Sequence, residues 1–177
     1  MAVVALALGA CSPEDKAALP TPVPTDSVSA ADALCGLDPD AVDAVTGLPA
    51  DTSDDGLEGV GSDVRGFCEI HGDGMRTGVA WLAVDDASSE DCLQAREIVE
   101  GRGGWAETAP FGTLEGGVWA QVEQSDQQRS VGPTSVAFVG DLCVTLNLAA
   151  LAPGRDPVRE AEALTMQAIA TLGLDGS

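Results

Sequence analysis

Tyrosine is missing from this chain, and Phe and Trp together supply 3% of it. With so few rings, a core has to be assembled from Val, Leu, Ala and Ile. Positive charge is equally scarce. Lys occurs once, at Lys16, and 8 basic residues face 29 acidic ones for a net charge of -21. Such a surface repels phosphate backbones and anionic headgroups, which excludes nucleic acid and direct adhesion to a lipid surface. It is a solvated acidic face that favours solubility, and the partners it attracts are cations or basic molecules.

Motifs for chemistry are also lacking. His71 is the single histidine and no Cys-x-x-Cys pair occurs, which disfavours structural zinc. There is no Gly-x-Ser-x-Gly nucleophile elbow. Gly101-Arg102-Gly103-Gly104 lacks the Lys-Ser/Thr of a phosphate loop and reads as a helix stop. Asp51-Thr52-Ser53-Asp54-Asp55-Gly56 begins like a calcium loop, but Ser62 stands where the bidentate Glu belongs, so it reads as an acidic loop. His71, beside Gly72, reads as a surface or turn residue. No catalytic residue, metal or cofactor is expected.

What the chain does have is 45% hydrophobic residues in 177, enough for one domain with its own core plus extras. Met1 to Ala10 is an unbroken apolar run, too short to span a bilayer as a helix but suited to the apolar region of a signal peptide. No basic stretch precedes it, so residues 1–10 are expected to be a signal remnant, either because the native start lies upstream or because the signal was trimmed. Leu8-Gly9-Ala10-Cys11 resembles the lipobox of bacterial lipoproteins at every position. That resemblance implies cleavage before Cys11 and acylation of its sulfur, and several acyl chains on one residue anchor firmly where one holds marginally. Residues 11–31 then form a Pro/Ser/Thr-rich tether, able to reach about 60 Å if extended at ~3.1 Å per residue.

The remaining cysteines, Cys35, Cys68, Cys92 and Cys143, are an even set in an exported chain and read as two disulfides. Of three possible connectivities we expect Cys35–Cys68 with Cys92–Cys143, because each pair links neighbouring elements.

Residues 32–177 read as a single α+β domain. Asp38-Pro39 opens a helix with Val42 and Val45 inward and Gly47 at its end. A Gly/Asp-rich loop covers 49–65. Residues 66–71 form a strand with Cys68 and Ile70 on one side and Phe67, Glu69 and His71 on the other. Residues 77–84 form a second strand, apolar on both sides and therefore central. Ser88-Ser89-Glu90-Asp91 starts a helix with Cys92, Ala95 and Val99 as its stripe. Residues 116–123 form a third strand, with Val118, Ala120 and Val122 inward. Strands 134–139 and 142–148 form a hairpin around Gly140-Asp141, with Cys143, Thr145 and Asn147 opposite the core side. A final helix opens at Asp156-Pro157 and closes at Gly173. The expectation is an antiparallel sheet of about five strands with helices packed on one face.

Three tryptophans, Trp81, Trp105 and Trp119, are the candidate ligand face. Trp119 alternates with Gln121 and Glu123 on the more polar side of its strand, so it either lines a cleft or packs beneath a loop or helix.

Taken whole, the chain resembles the actinobacterial surface lipoproteins that carry a domain of unknown function. The matching residues are Cys11, the Pro/Thr tether, Leu34-Cys35-Gly36-Leu37-Asp38 with Val45-Thr46-Gly47, and Phe67-Cys68-Glu69-Ile70. Ile70 departs from the aromatic that family tends to carry after its second Cys. The extracellular sensor domain of actinobacterial serine/threonine kinases is a second resemblance. Both imply a lipid- or membrane-anchored extracytoplasmic domain, and neither supplies an activity. The expected function is non-enzymatic binding or sensing of a protein or small molecule. The rivals are a cell-envelope enzyme using acidic residues and a structural surface component.

Overall fold

Helix α1 (Pro39–Thr46) begins where a side-chain oxygen can satisfy its open N-terminus: Asp38 accepts from the Asp40 N–H at 3.1 Å, and Pro39 occupies the first turn. Gly47, at φ +70°, ends it by donating its N–H to the Asp43 carbonyl. The computed structural model describes residues 20–75, 77–102, 108–120 and 132–174. Cys11, the signal remnant, residues 12–19 of the tether, Trp105, Gln121, Val122 and Glu123 lie outside these.

After α1 come β1 (Thr52–Asp55), a short 3-10 turn at Gly61–Asp63, β2 (Gly66–His71), β3 (Ala80–Asp86) and helix α2 (Glu90–Val99). Strands β4 (Thr108–Pro110), β5 (Gly116–Ala120), β6 (Pro133–Val139) and β7 (Leu142–Leu148) follow, and helix α3 (Pro157–Leu172) ends the fold. The seven strands make one fully antiparallel sheet in the order β1-β2-β3-β7-β6-β5-β4. The class is α+β as expected, but the strand number is seven rather than about five. The two additional strands are short edge strands: β1 reads Thr-Ser-Asp-Asp and β4 Thr-Ala-Pro, without the apolar alternation that marks a strand. Backbone pairing to β2 and β5 makes them strands, and their acidic or Pro-containing sequences suit exposed edges.

Strand β7 shows how the sheet divides its residues. Leu142, Val144, Leu146 and Leu148 go to one side, the inner face, where they join Cys68, Ile70, Leu82 and Val84 beneath Val42, Val45, Leu164 and Ala168 of α1 and α3. Cys143 goes to the other side, the outer face. There Cys92, Ala95 and Ile98 of α2 pack against Trp119, Val136, Phe138 and Cys143 in a second, smaller core. The helices therefore cover both faces, correcting the expectation that they share one. The reason is covalent: Cys143 points away from the main core, and the Cys92–Cys143 bridge holds α2 on that side. Gly117 permits the close approach, since a Cβ there would meet Val99 Cγ1 at 3.0 Å and the Ala109 carbonyl oxygen at 2.7 Å.

Both disulfides have the expected partners. Cys35–Cys68 (Cα–Cα 5.7 Å) ties the segment before α1 to β2, and Cys92–Cys143 (6.1 Å) ties α2 to β7. Gly140, at φ +59°, turns the β6–β7 hairpin, with Val139 paired to Leu142 across it.

Residues 20–31, expected within the tether, lie against α3. The Thr21 carbonyl accepts from Arg155 Nη1 at 2.8 Å, the Pro24 carbonyl accepts from Gln167 Nε2 at 3.2 Å, and the Val28 N–H donates to Thr171 Oγ1 at 3.0 Å. Val23 is buried beside them. Gln167, 1% exposed, also accepts the Asp38 N–H through Oε1 at 2.9 Å, so one buried amide joins α3, the start of α1 and the N-terminal segment. Arg155 pairs with the buried Glu160 at 3.1 Å while holding Thr21.

On the next turn of α3, Glu162 clamps the loop after β4. Partial burial pushes its carboxyl upward, but hydrogen bonds from Thr113 Oγ1 and the backbone N–H groups of Thr113, Gly112 and Leu114 outweigh this and lower its pKa from 4.5. A lowered folded-state pKa stabilises the fold above the unfolded value, and that contribution is lost as pH falls through the folded value. The stability advantage of the natural chain over Glu162→Gln should therefore be constant at neutral pH and shrink below 4.5 in urea unfolding; an advantage that grows on acidification contradicts the clamp.

The loops closed by the two bridges, with sequence separations of 33 and 51, imply about 4 kcal/mol of stabilisation each from restricting the unfolded chain. Replacing Cys92 and Cys143 together by Ala should lower the unfolding free energy by about that amount and loosen α2 first. Hydrogen exchange checks this, with accelerated exchange of the Ala95 and Ile98 amides expected ahead of β7.

Candidate functional site

Helix α2 covers the β4–β5–β6 end of the outer face and the part of β7 around Cys143, and among the described residues no helix covers the β1–β2–β3 end. Strand register places a continuous line of side chains across the whole sheet. Asp54 of β1 stands opposite Glu69 of β2, Glu69 opposite Trp81 of β3, and Trp81 opposite Asn147 of β7. Asn147 stands opposite Thr134 of β6, Thr134 opposite Trp119 of β5, and Trp119 opposite Thr108 of β4. Directly opposed residues have Cβ atoms about 4.5–5.5 Å apart, so each member is the next one's neighbour.

The row changes character along its length. Trp119 is 5% exposed and belongs to the core beneath α2. Its indole Nε1 is buried and finds no acceptor among the described residues. Thr134 Oγ1 and Asn147 Oδ1 are hydrogen-bonded at 2.6 Å. With Thr145, Asp91 and Gln94 they line a groove of about 370 Å³ between α2 and the sheet. Trp81, Ala83, Thr145 and Asn147 are half-buried, whereas their inner-face neighbours Leu82, Val84, Leu146 and Leu148 are fully buried. Phe67, two residues from Glu69 on the same side of β2, is 50% exposed. Register thus joins Trp81 and Trp119, which the sequence singles out separately, in one row: Trp81 in its open part, Trp119 beneath the helix.

The acidic end carries His71. Its Nε2 lies 3.3 Å from Asp54 Oδ2, and its Nδ1 lies 3.9 Å from Glu69 Oε1. Nε2 is buried, and the Asp54 approach is not aligned as a hydrogen bond, so the two groups are neighbours without a bond among the described residues. Glu69 Oε1 accepts the Gly78 N–H at 2.9 Å, which fixes the carboxylate beside Trp81. An added Cβ at Gly78 would meet that oxygen at 2.5 Å. Sequence reading treats His71 as a turn or surface residue; it is the last residue of β2 and lines a cleft of about 530 Å³ with Asp51, Thr52, Asp54 and Asp73.

The stretch Asp51 to Gly56 is not arranged as a calcium loop. Residues 52–55 are a strand, so Thr52 and Asp54 project to one side and Ser53 and Asp55 to the other, and their oxygens do not converge. Among the described residues no group of three or more His, Cys, Asp or Glu side chains is placed to hold a metal ion. Also among them, no helix is long and apolar enough to cross a membrane.

Trp119 offers a direct test of the helix-covered half of the row. Trp119→Phe keeps most of the ring and deletes the unpartnered N–H, so it should cost under about 1.5 kcal/mol, whereas Trp119→Ala should cost about 3–5 kcal/mol. Equal losses in chemical denaturation would mean that the indole N–H is bonded in solution. No family model matches the chain, and no curated protein or solved structure matches it.

Proposed function

We propose that this chain is an extracytoplasmic lipoprotein, held to the cell membrane by acyl chains on Cys11, whose stapled domain binds a ligand without chemical turnover. Trp81 on the uncovered part of the outer face is the centre of the binding surface, with Phe67, Glu69 and Asn147 around it. The observation that carries this reading is the asymmetry of the sheet. One face is closed by two helices, while the other leaves a half-buried tryptophan, an exposed phenylalanine and a half-buried asparagine on a rigid surface. Large rings on a preorganised strand give contact area at small entropic cost, which is what binding surfaces exploit.

The lipobox resemblance, the two disulfides and the Pro-rich segment support the extracytoplasmic setting. The same resemblances make a sensing role, reporting ligand presence to an envelope partner, part of this proposal.

Two experiments on intact cells of a lipoprotein-exporting host test it. The chain should incorporate labelled palmitate and fractionate with membranes, and Cys11→Ser should abolish both. A photo-crosslinking residue at position 81 should give a discrete adduct, whereas one at the exposed Val60, away from the row, should not. Equal labelling at the two positions would remove the face from consideration.

A further inference from the structure

The outer-face positions of β2 and β3 form a square. Phe67 stands opposite Ala83, and Glu69 stands opposite Trp81. The two aromatic side chains thus occupy one diagonal, about 7–8 Å apart by sheet geometry, which is close enough for both rings to touch one group seated between them. Ala83, opposite Phe67, contributes a single methyl and forms the low corner of the square. The fourth corner is a carboxylate that the Gly78 N–H holds in place at 2.9 Å. Asp54, 88% exposed at its side chain, adds a second negative charge one strand further out.

Two rings, a small floor and a fixed carboxylate suit an organic cation: ring quadrupoles attract positive charge, and the carboxylate supplies a charge-assisted hydrogen bond. The outer-face positions of β1, β2, β3 and β7 carry Asp54, Glu69 and Asp85 but no Lys or Arg, and His71, beside Asp54 and Glu69, is the one basic side chain among them. Arg65, just before β2, is committed to Asp86 at 2.5 Å. Arg96 of α2 is committed to Glu115 and to the ring of Phe138, 4.0 Å from its centroid. The chain itself already uses a guanidinium over a phenylalanine on this same side of the sheet. The net charge of -21 extends the attraction into solution.

We infer that the Phe67–Trp81–Glu69 square binds a Lys or Arg side chain of a partner polypeptide. This rests on the binding-surface reading above and deepens it. A polypeptide fits the shape of the site. The square is an open part of a sheet and not an enclosed cavity, and the row continues to the half-buried Asn147, whose amide can meet a backbone group of an extended segment, before it passes under α2 at the buried Thr134. Glu69 and Asp54 then sit beside the cationic head, while the two rings hold its apolar stem.

The test uses the oxidised full chain, labelled with nitrogen-15, titrated at physiological salt with a tetra-arginine peptide and with its neutral counterpart, tetra-citrulline. The Trp81 indole and Ala83 amide signals should move with tetra-arginine and not with tetra-citrulline. Glu69→Gln, which preserves shape, should weaken binding tenfold or more, and Trp81→Ala or Phe67→Leu should weaken it at least threefold. Circular dichroism verifies that each variant is folded, and Glu69→Gln keeps the test informative should an aromatic variant unfold. Shifts spread over remote acidic residues such as Asp40 and Glu97, insensitive to these variants, would overturn the inference as non-specific charge attraction. Equal response to tetra-citrulline or to maltotriose at Trp81 would also overturn it, while leaving the binding surface itself in place. A crosslinked adduct at position 81 on cells with no response to tetra-arginine would separate the two in the same way.

Discussion

The alternation of one strand governs this molecule. Strand β7 sends four leucine or valine side chains to the inner face and Cys143, Thr145 and Asn147 to the outer one. A slip of one residue would exchange the two sets, placing Cys143 in the main core and breaking its bridge to α2. Because β7 lies at the centre of the sheet, between β3 and β6, its register propagates outward. Trp81 comes opposite Asn147, Trp119 opposite Thr134, and Glu69 beside Trp81 as a consequence. The transverse row is therefore specified by core packing, although none of its charged members belongs to the core.

The acidic surface and the scarcity of cations impose a second constraint. Arginines that the structure describes are used economically: Arg155 joins Glu160 to the Thr21 carbonyl, Arg65 meets Asp86, and Arg96 bridges α2 to Glu115 while covering Phe138. The more exposed of these pairs, Arg65–Asp86 and Arg96–Glu115, contribute at most about 1 kcal/mol each, so the fold rests chiefly on its two cores and two bridges. Among the described residues, the arginines are thus engaged away from the outer-face carboxylates near Trp81, whose basic neighbour on these strands is His71. Docking of residues 20–31 through Gln167 and Arg155 meanwhile leaves the row untouched, since α3 lies on the inner face.

Much of the fold was legible in the sequence. Asp-Pro at 38–39 and 156–157 with Gly47 and Gly173 mark both flanking helices because their capping groups act locally. The alternation in 66–71 and 142–148 assigns Phe67, Glu69, Cys143 and Asn147 to the side opposite the core, and the disulfide partners follow from element order. Edge strands β1 and β4 escaped because pairing, and not hydrophobic pattern, creates them. The side on which α2 packs was present in the parity of Cys143, but a stripe of Cys92 and Ala95 fits either face and carries no direction of its own. The row could not be read at all, since it depends on register across six strand pairs. That is why Trp81 and Trp119 read as separate suspects, and why His71, brought to Asp54 by the β1–β2 pairing, read as a turn residue.

Whether Trp81 stands open to solvent in a field that favours cations is the point on which the functional reading turns. In a variant with Trp105→Phe and Trp119→Phe, the remaining tryptophan fluorescence reports on Trp81 alone, and its quenching by acrylamide, caesium and iodide can be compared directly. The predicted result is ready quenching by acrylamide, with caesium effective and iodide much weaker. A fluorescence that all three leave unquenched would mean that Trp81 is covered, contradicting the binding surface. Iodide matching caesium would contradict its preference for cations.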